Sequence, residues 1–171
     1  MTALRPPAGE YPFGRAEAGF ELLPEEFPFD SAPPVLAYGA NGSPEVLARK
    51  LPGVPVLAVA GVLHDFAVVH SAHVSPYGAV PATIVEAPGE QVEAHALFVP
   101  DDALDALDAT ERNYDRIRVP AERLELHSDD IAAVDFAMAY VSRHGPLLVD
   151  GEPVPLGSRP QDELLELVKA A

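Results

Sequence analysis

Val35-Leu36-Ala37-Tyr38-Gly39-Ala40-Asn41-Gly42-Ser43-Pro44-Glu45 contains three successive local signals. Val35 to Tyr38 is a short apolar run suited to a strand, and Gly39 to Gly42 is a turn. Ser43 followed by Pro44 is a helix start, because a serine side chain can accept from a first-turn N–H and proline fits the first helical position. The helix is expected to run through Leu47 to about Leu51. Such a junction gathers the N–H groups of a glycine-containing turn and a helix N-terminus at one spot, which suits an anion. The same sequence also serves for plain chain reversal, and Asn41-Gly42 is an ordinary turn dipeptide. It is neither a Walker A loop nor a dinucleotide fingerprint, since the lysine of the one and the third glycine of the other are missing.

Downstream, apolar runs and alternation predict strands at 54–63, 65–70, 82–86, 92–99, 123–126 and 133–141, with another beginning at Ile117. Pro88-Gly89 reads as a turn between two of them, and Val74 to Gly78 as a loop. Pro100-Asp101-Asp102 opens a helix carrying Leu104 and Leu107, and 162–170 reads as a terminal helix with Leu164, Leu165, Leu167 and Val168 inward. Many strands, few helices and no alternating βαβ units predict an α+β fold: a small mixed, mostly antiparallel, barrel-like sheet with peripheral helices. Upstream, residues 1–33 hold most of a cluster formed by Pro6, Pro7, Pro12, Pro24, Pro28, Pro33 and Pro34, and show no sustained period. They read as a proline-rich arm preceding a domain at 34–171. The arm's aromatics, Tyr11, Phe13, Phe20, Phe27 and Phe29, are too many for a freely solvated tail and offer a surface for the domain or for a homodimer.

The 171 residues suffice for one domain with a real core. No apolar run is long enough to span a bilayer as a helix, and Met1 to Pro7 lacks a secretory h-region, so a cytoplasmic protein without a membrane partner is expected. The absence of cysteine excludes disulfides, thiolate metal sites and cysteine nucleophiles. Twenty-seven acidic against 11 basic residues give a net charge of −16, which repels phosphate backbones, so nucleic acid is not an expected partner.

Within Leu104 to Glu111, a helical step of about 100° puts Leu104, Leu107 and Glu111 on one stripe. Glu111 then shares the face of the core leucines, where a desolvated carboxylate suits proton exchange near neutral pH. The alternative is a helix that stops near Ala109 and leaves Glu111 in solvent; Asp108 borders the stripe and stays a candidate. His70 and His73 lie three apart in a strand-to-loop segment, an offset that points side chains to opposite faces, and the other histidines are scattered, so no metal is expected.

The strand ending in Tyr38-Gly39-Ala40-Asn41, with a basic helix end at Arg49-Lys50, resembles the Tyr-Gly-Ser-Asn loop of gamma-glutamylcyclotransferase-like proteins. The later order agrees: Pro81 to Val85, Val92 to Val99, Leu107-Asp108-Ala109-Thr110-Glu111, Tyr114-Asp115-Arg116, and Tyr140. The resemblance covers residues 34 to 145. It departs at Ala40, Gly42 and Arg112, where the family carries serine, leucine and glycine. It implies a barrel-like fold whose cavity mouth holds loop and glutamate, and an enzyme that cyclises a γ-glutamyl group to 5-oxoproline without a cofactor. By the same resemblance Glu111 is the acid/base, the Gly39, Ala40 and Asn41 amides hold the substrate, and Tyr38, Tyr114 and Tyr140 line the pocket. The alternative is a non-catalytic small-molecule-binding module on the same fold.

Overall fold

The computed structural model describes residues 17–23, 33–129, 131 and 134–171. Most of the proline-rich arm, with Tyr11, Phe13, Phe27 and Phe29, lies outside the described residues. The elements in chain order are β1 (Phe20–Leu22), β2 (Val35–Ala37), α1 (Pro44–Lys50), β3 (Val56–His70), β4 (Ala82–Phe98), α2 (Leu104–Thr110), β5 (Tyr114–Pro120), β6 (Leu124–Leu126), β7 (Phe136–Ser142), β8 (Leu148–Val149), β9 (Glu152–Pro153) and α3 (Gln161–Ala170).

The main sheet has the order β1-β3-β4-β2-β7-β5, with β6 also paired to β3. All its pairings are antiparallel except β2 with β7, where Val35 faces Met138 and Leu36 faces Ala139. The architecture is α+β and mostly antiparallel, as expected, but the sheet is open rather than a closed barrel among the described residues. Two pairs of expected strands are joined. The runs at 54–63 and 65–70 form one strand, β3, and those at 82–86 and 92–99 form one strand, β4, so Pro88-Gly89 lies inside a strand instead of between two. The cause is a bulge. His64 pairs with Gln91 and Phe66 with Glu86, so one residue of β3 opposes four of β4. Asp65 (φ 63°) and Gly89 (φ 84°) take left-handed conformations there, and the Gly89 N–H donates to Asp65 Oδ1 at 2.9 Å. Aspartate and glycine are residue types that tolerate that region, so the hairpin bends without ending.

Period-2 alternation divides the core. Leu36 and Tyr38 enter one cluster with Val59, Leu63, Phe66 and Ile84. Val35 and Ala37 point the other way, onto Leu47 and Leu51 of α1 and its C-cap, and onto Leu107 of α2. A third cluster joins Val80, Leu147 and Val154 to Leu164 of α3. The small β8–β9 hairpin beside it was not anticipated, although Asp150-Gly151 (φ 53° and 83°) is a strong two-residue hairpin signal. The helix starts follow their local chemistry: the Val46 N–H donates to Ser43 Oγ at 3.4 Å, and Pro44 occupies the first turn of α1. Among the described residues no helix is long and apolar enough to cross a membrane.

Gly61 shows how closely the strands approach. A Cβ placed there would lie 2.4 Å from the Glu125 carbonyl oxygen on β6. Gly61→Ala is therefore expected to loosen β6 from β3 and to lower the unfolding free energy by about 1–3 kcal/mol, read by urea denaturation. An unchanged midpoint would mean that β6 yields freely.

Candidate active site

The end of β2 releases the chain into the turn 38–42 at the place where α2 ends. The turn is a short 3-10 segment, Ala40–Gly42, in which the Gly42 N–H donates to Gly39 O and the Ser43 N–H to Ala40 O, both at 3.0 Å. Those bonds use the later amides, and the first N–H groups of a helical turn have no partner within it. Around this turn lies a cavity of about 240 Å³. Tyr38, Gly39, Ala40, Asn41, Glu111, Tyr114 and Tyr140, named above from sequence, all border it.

Glu111 is not part of the helix. It is the C-cap of α2, with φ −108° and ψ 44°, and its N–H donates to Asp108 O. Neither alternative for this residue holds as stated: the helix stops at Thr110, yet the Glu111 side chain is only 10% exposed. What accompanies that burial is a cation. Lys50, at the end of α1 and 12% exposed, donates from Nζ to Glu111 Oε1 at 2.6 Å and to Asn41 Oδ1 at 2.8 Å. Asn41 Nδ2 donates to the same Oε1 at 2.9 Å, closing a triangle of three side chains. Both contacts fall on Oε1. Burial of a charge is tolerated where it is paired and hydrogen-bonded, and this pair meets both conditions. Lys50 was legible only as a basic helix end; its role depends on α1 and α2 meeting.

The three tyrosines are tied to the scaffold. Tyr38 Oη donates to the Tyr140 carbonyl, Tyr114 Oη to the Ala82 carbonyl at 2.9 Å, and Tyr140 Oη to Asp108 Oδ1 at 2.5 Å. Burial, reinforced by the Asp108 carboxylate, holds the Tyr140 hydroxyl far above the ordinary tyrosine value, so it stays a donor. Asp108 also pairs with Arg116, at 3.1 Å. It supports the wall of the cavity instead of acting as a second free carboxylate.

His73, Ser75, Pro76, Tyr77 and Asn113 also line the cavity; from sequence His73 was weighed only as a metal ligand and residues 75–77 only as part of a loop, and none was read as a pocket residue. They arrive on the 71–81 connection and on the turn after α2, so only the packing of β3, β4 and β5 brings them in. His73 Nδ1 lies 2.7 Å from Ser71 Oγ, and its ring stacks on His144 with centroids 4.6 Å apart. Burial, with His144 adding to it, pushes His73 down to about 4. His70 is separate: Nδ1 lies 3.1 Å from Val80 O, and Nε2 accepts the Gly157 N–H at 3.1 Å, so the neutral ring bridges two segments. Burial lowers it as well, against the opposing effect of the Val80 carbonyl. No group of three or more metal-ligating side chains stands together among the described residues.

No protein-family model and no curated protein matches the sequence. Solved structures do. A gamma-glutamyl cyclotransferase superposes with a TM-score of 0.52 at 16% identity, covering 80% of this chain and 98% of that one. A protein from Arabidopsis thaliana, solved in solution, gives 0.50 at 21% identity, covering 81% of this chain and 83% of its own. An uncharacterised protein from Homo sapiens gives 0.50 at 19%, covering 90% and 88%. The chain has the gamma-glutamylcyclotransferase-like fold.

Two outcomes are expected from the site's electrostatics. Lys50→Met leaves the Glu111 carboxylate buried without its cation and should cost about 3 kcal/mol of stability, while Lys50→Met combined with Glu111→Gln should recover part of that loss. Equal urea midpoints for the single variant and the wild type would show that Glu111 does not need the ammonium. The histidines act on pH. An unfolded chain binds their protons near pH 6.5, whereas the folded chain resists protonation down to lower values, about 4 for His73. The unfolded state therefore binds more protons inside that window, and stability, full above about pH 6.5, falls as pH drops through it. His73→Gln is expected to flatten the fall, followed by denaturation at a series of pH values. An equally steep fall would assign it to other groups.

Proposed function

We propose that the protein is a γ-glutamyl cyclotransferase-type enzyme that releases 5-oxoproline from a γ-glutamyl amine or peptide. The observation that carries the reading is the Glu111 carboxylate, held at the cavity with its two side-chain contacts, among the described residues, both on Oε1 and none on Oε2. A carboxylate so oriented can exchange a proton with a bound amine through Oε2 while Lys50 and Asn41 hold it still. The fold shared with gamma-glutamyl cyclotransferase supports the reading at the level of architecture, since a fold alone does not carry an activity.

The chemistry asks little of the protein. The substrate's own α-amine nitrogen attacks the γ-carbonyl carbon, a bond forms between them, and the amide bond to the leaving nitrogen breaks. Two protons leave the α-ammonium nitrogen, which ends as the single N–H of the lactam, and two reach the leaving nitrogen, which departs as an ammonium, with Glu111 receiving and returning them one at a time. Atoms balance with no water consumed and no cofactor needed. Holding the chain folded onto itself supplies the advantage of an intramolecular reaction, and in this reading the amides of Gly39, Ala40 and Asn41 hold the α-carboxylate. Ala40 brings no hydroxyl to that task, so backbone donors and the Asn41 side chain carry it. Tyr38, Tyr114 and Tyr140, their hydroxyls already engaged, shape the pocket by their rings.

Glu111→Gln keeps the shape and removes the proton exchange. It is expected to lower 5-oxoproline release from a panel of γ-glutamyl amino acids and amines by about 100-fold or more while substrate still binds. Turnover retained in that variant would exclude Glu111 as the acid/base. Binding without product from the wild type would favour a binding module on the same fold.

A further inference from the structure

In a chain of net charge −16, cations without a partner are informative. Among the described residues Lys50, Arg116 and Arg143 sit on Glu111, Asp108 and Asp115. Arg123, Arg159 and Lys169 sit on Glu86, Glu163 and Glu166. Arg118 lies over the Phe136 ring, and Arg49 has a partner of its own. Arg112 is the one described cation whose guanidinium has none, and it borders the cavity.

Its backbone is fixed. The Tyr114 N–H donates to Glu111 O at 2.9 Å, the Arg143 N–H to Asn113 O at 2.9 Å, and Arg143 Nη1 to Arg112 O at 3.3 Å. The turn therefore holds Arg112 at the cavity rim with its side chain exposed. The other cation on the lining, Lys50, is taken up by Glu111 and Asn41.

We propose that Arg112 is a specificity-determining residue that receives a carboxylate on the leaving group, so that the site takes γ-glutamyl amino acids or peptides in preference to γ-glutamyl derivatives of uncharged amines. This rests on the cyclotransferase reading. There Glu111 serves the leaving nitrogen, and Arg112 follows it in the chain at a Cα spacing of about 3.8 Å. An amino-acid leaving group carries its carboxylate one carbon from that nitrogen, and in this proposal the guanidinium of the next residue, which also borders the cavity, receives it. The substrate's α-carboxylate goes to the loop amides, so the second carboxylate is the one that needs this cation. A guanidinium offers it a planar, two-pronged set of donors. In a strongly anionic protein it also offsets locally the field that repels a doubly charged substrate.

The test compares γ-glutamyl-alanine with γ-glutamyl-alaninamide, matched in shape and differing in charge, on the full-length wild type, Arg112→Gln and Arg112→Lys. The wild type is expected to favour the acid about tenfold in kcat/KM, the worth of one charge-assisted contact. Arg112→Gln should lose that preference mainly through KM, Arg112→Lys should keep part of it, and high salt should shrink it. A wild type without preference, or an unchanged ratio in Arg112→Gln, overturns the proposal. If neither compound yields 5-oxoproline, the cyclotransferase reading fails, and calorimetric binding of the same two compounds decides on Arg112 by itself. Tighter binding of the acid that disappears in Arg112→Gln supports the contact; equal binding of acid and amide overturns it.

Discussion

β2 has no face for water. Val35, Leu36 and Ala37 are each at most 2% exposed, with one side chain pointing into the cluster under Phe66 and two into the cluster under α1 and α2. A strand so placed must lie inside the sheet, and it does, antiparallel to β4 and parallel to β7. A parallel neighbour cannot be reached by a tight hairpin, and here the chain passes through α1, β3, β4, α2, β5 and β6 before β7 returns. The order of the fold follows from that. So does the location of the cavity, because the residues that follow a buried central strand emerge at the sheet's end, between the helices that cover it.

At that end, the burial of Glu111 organises the side chains. Removing a carboxylate from water is costly unless a partner is fixed beside it, and Lys50 and Asn41 are fixed because they sit on α1 and on the turn before it. Two segments distant in sequence, 41–50 and the end of α2, thereby become one unit. The tyrosines add rigidity of another kind: each donates its hydroxyl to the scaffold, two to carbonyls and one to Asp108, so the walls are held by bonds that a ligand does not have to break. A preformed pocket of this sort suits a small substrate that must be held in one conformation.

Much of this was legible from residue order. The apolar run from Val35 to Tyr38, the Ser43-Pro44 helix start and the apolar stripe of α2 are short-range signals, and the structure follows them because local preference and burial agree there. Pro88-Gly89 misled because a turn dipeptide and a bulge have the same local chemistry; the choice between them belongs to the partner strand, where Asp65 supplies the opposing left-handed residue. The α2 stripe was read one residue too far, since the last position of a helix depends on what packs beyond it.

The sequence by itself determined most of the elements, the mostly antiparallel character of the sheet and the candidate residues, because these rest on periodicity, turn chemistry and a resemblance spread over two spaced motifs. Only the tertiary structure decided that Lys50 meets Glu111, that the tyrosine hydroxyls are spent on the scaffold, that His73 enters the lining, and that Arg112 has no partner among the described residues. Each of those depends on which segments meet across the sheet. Pairing between charges separated by tens of residues leaves no periodic trace in one sequence, so it becomes visible when the strands are in register and not before.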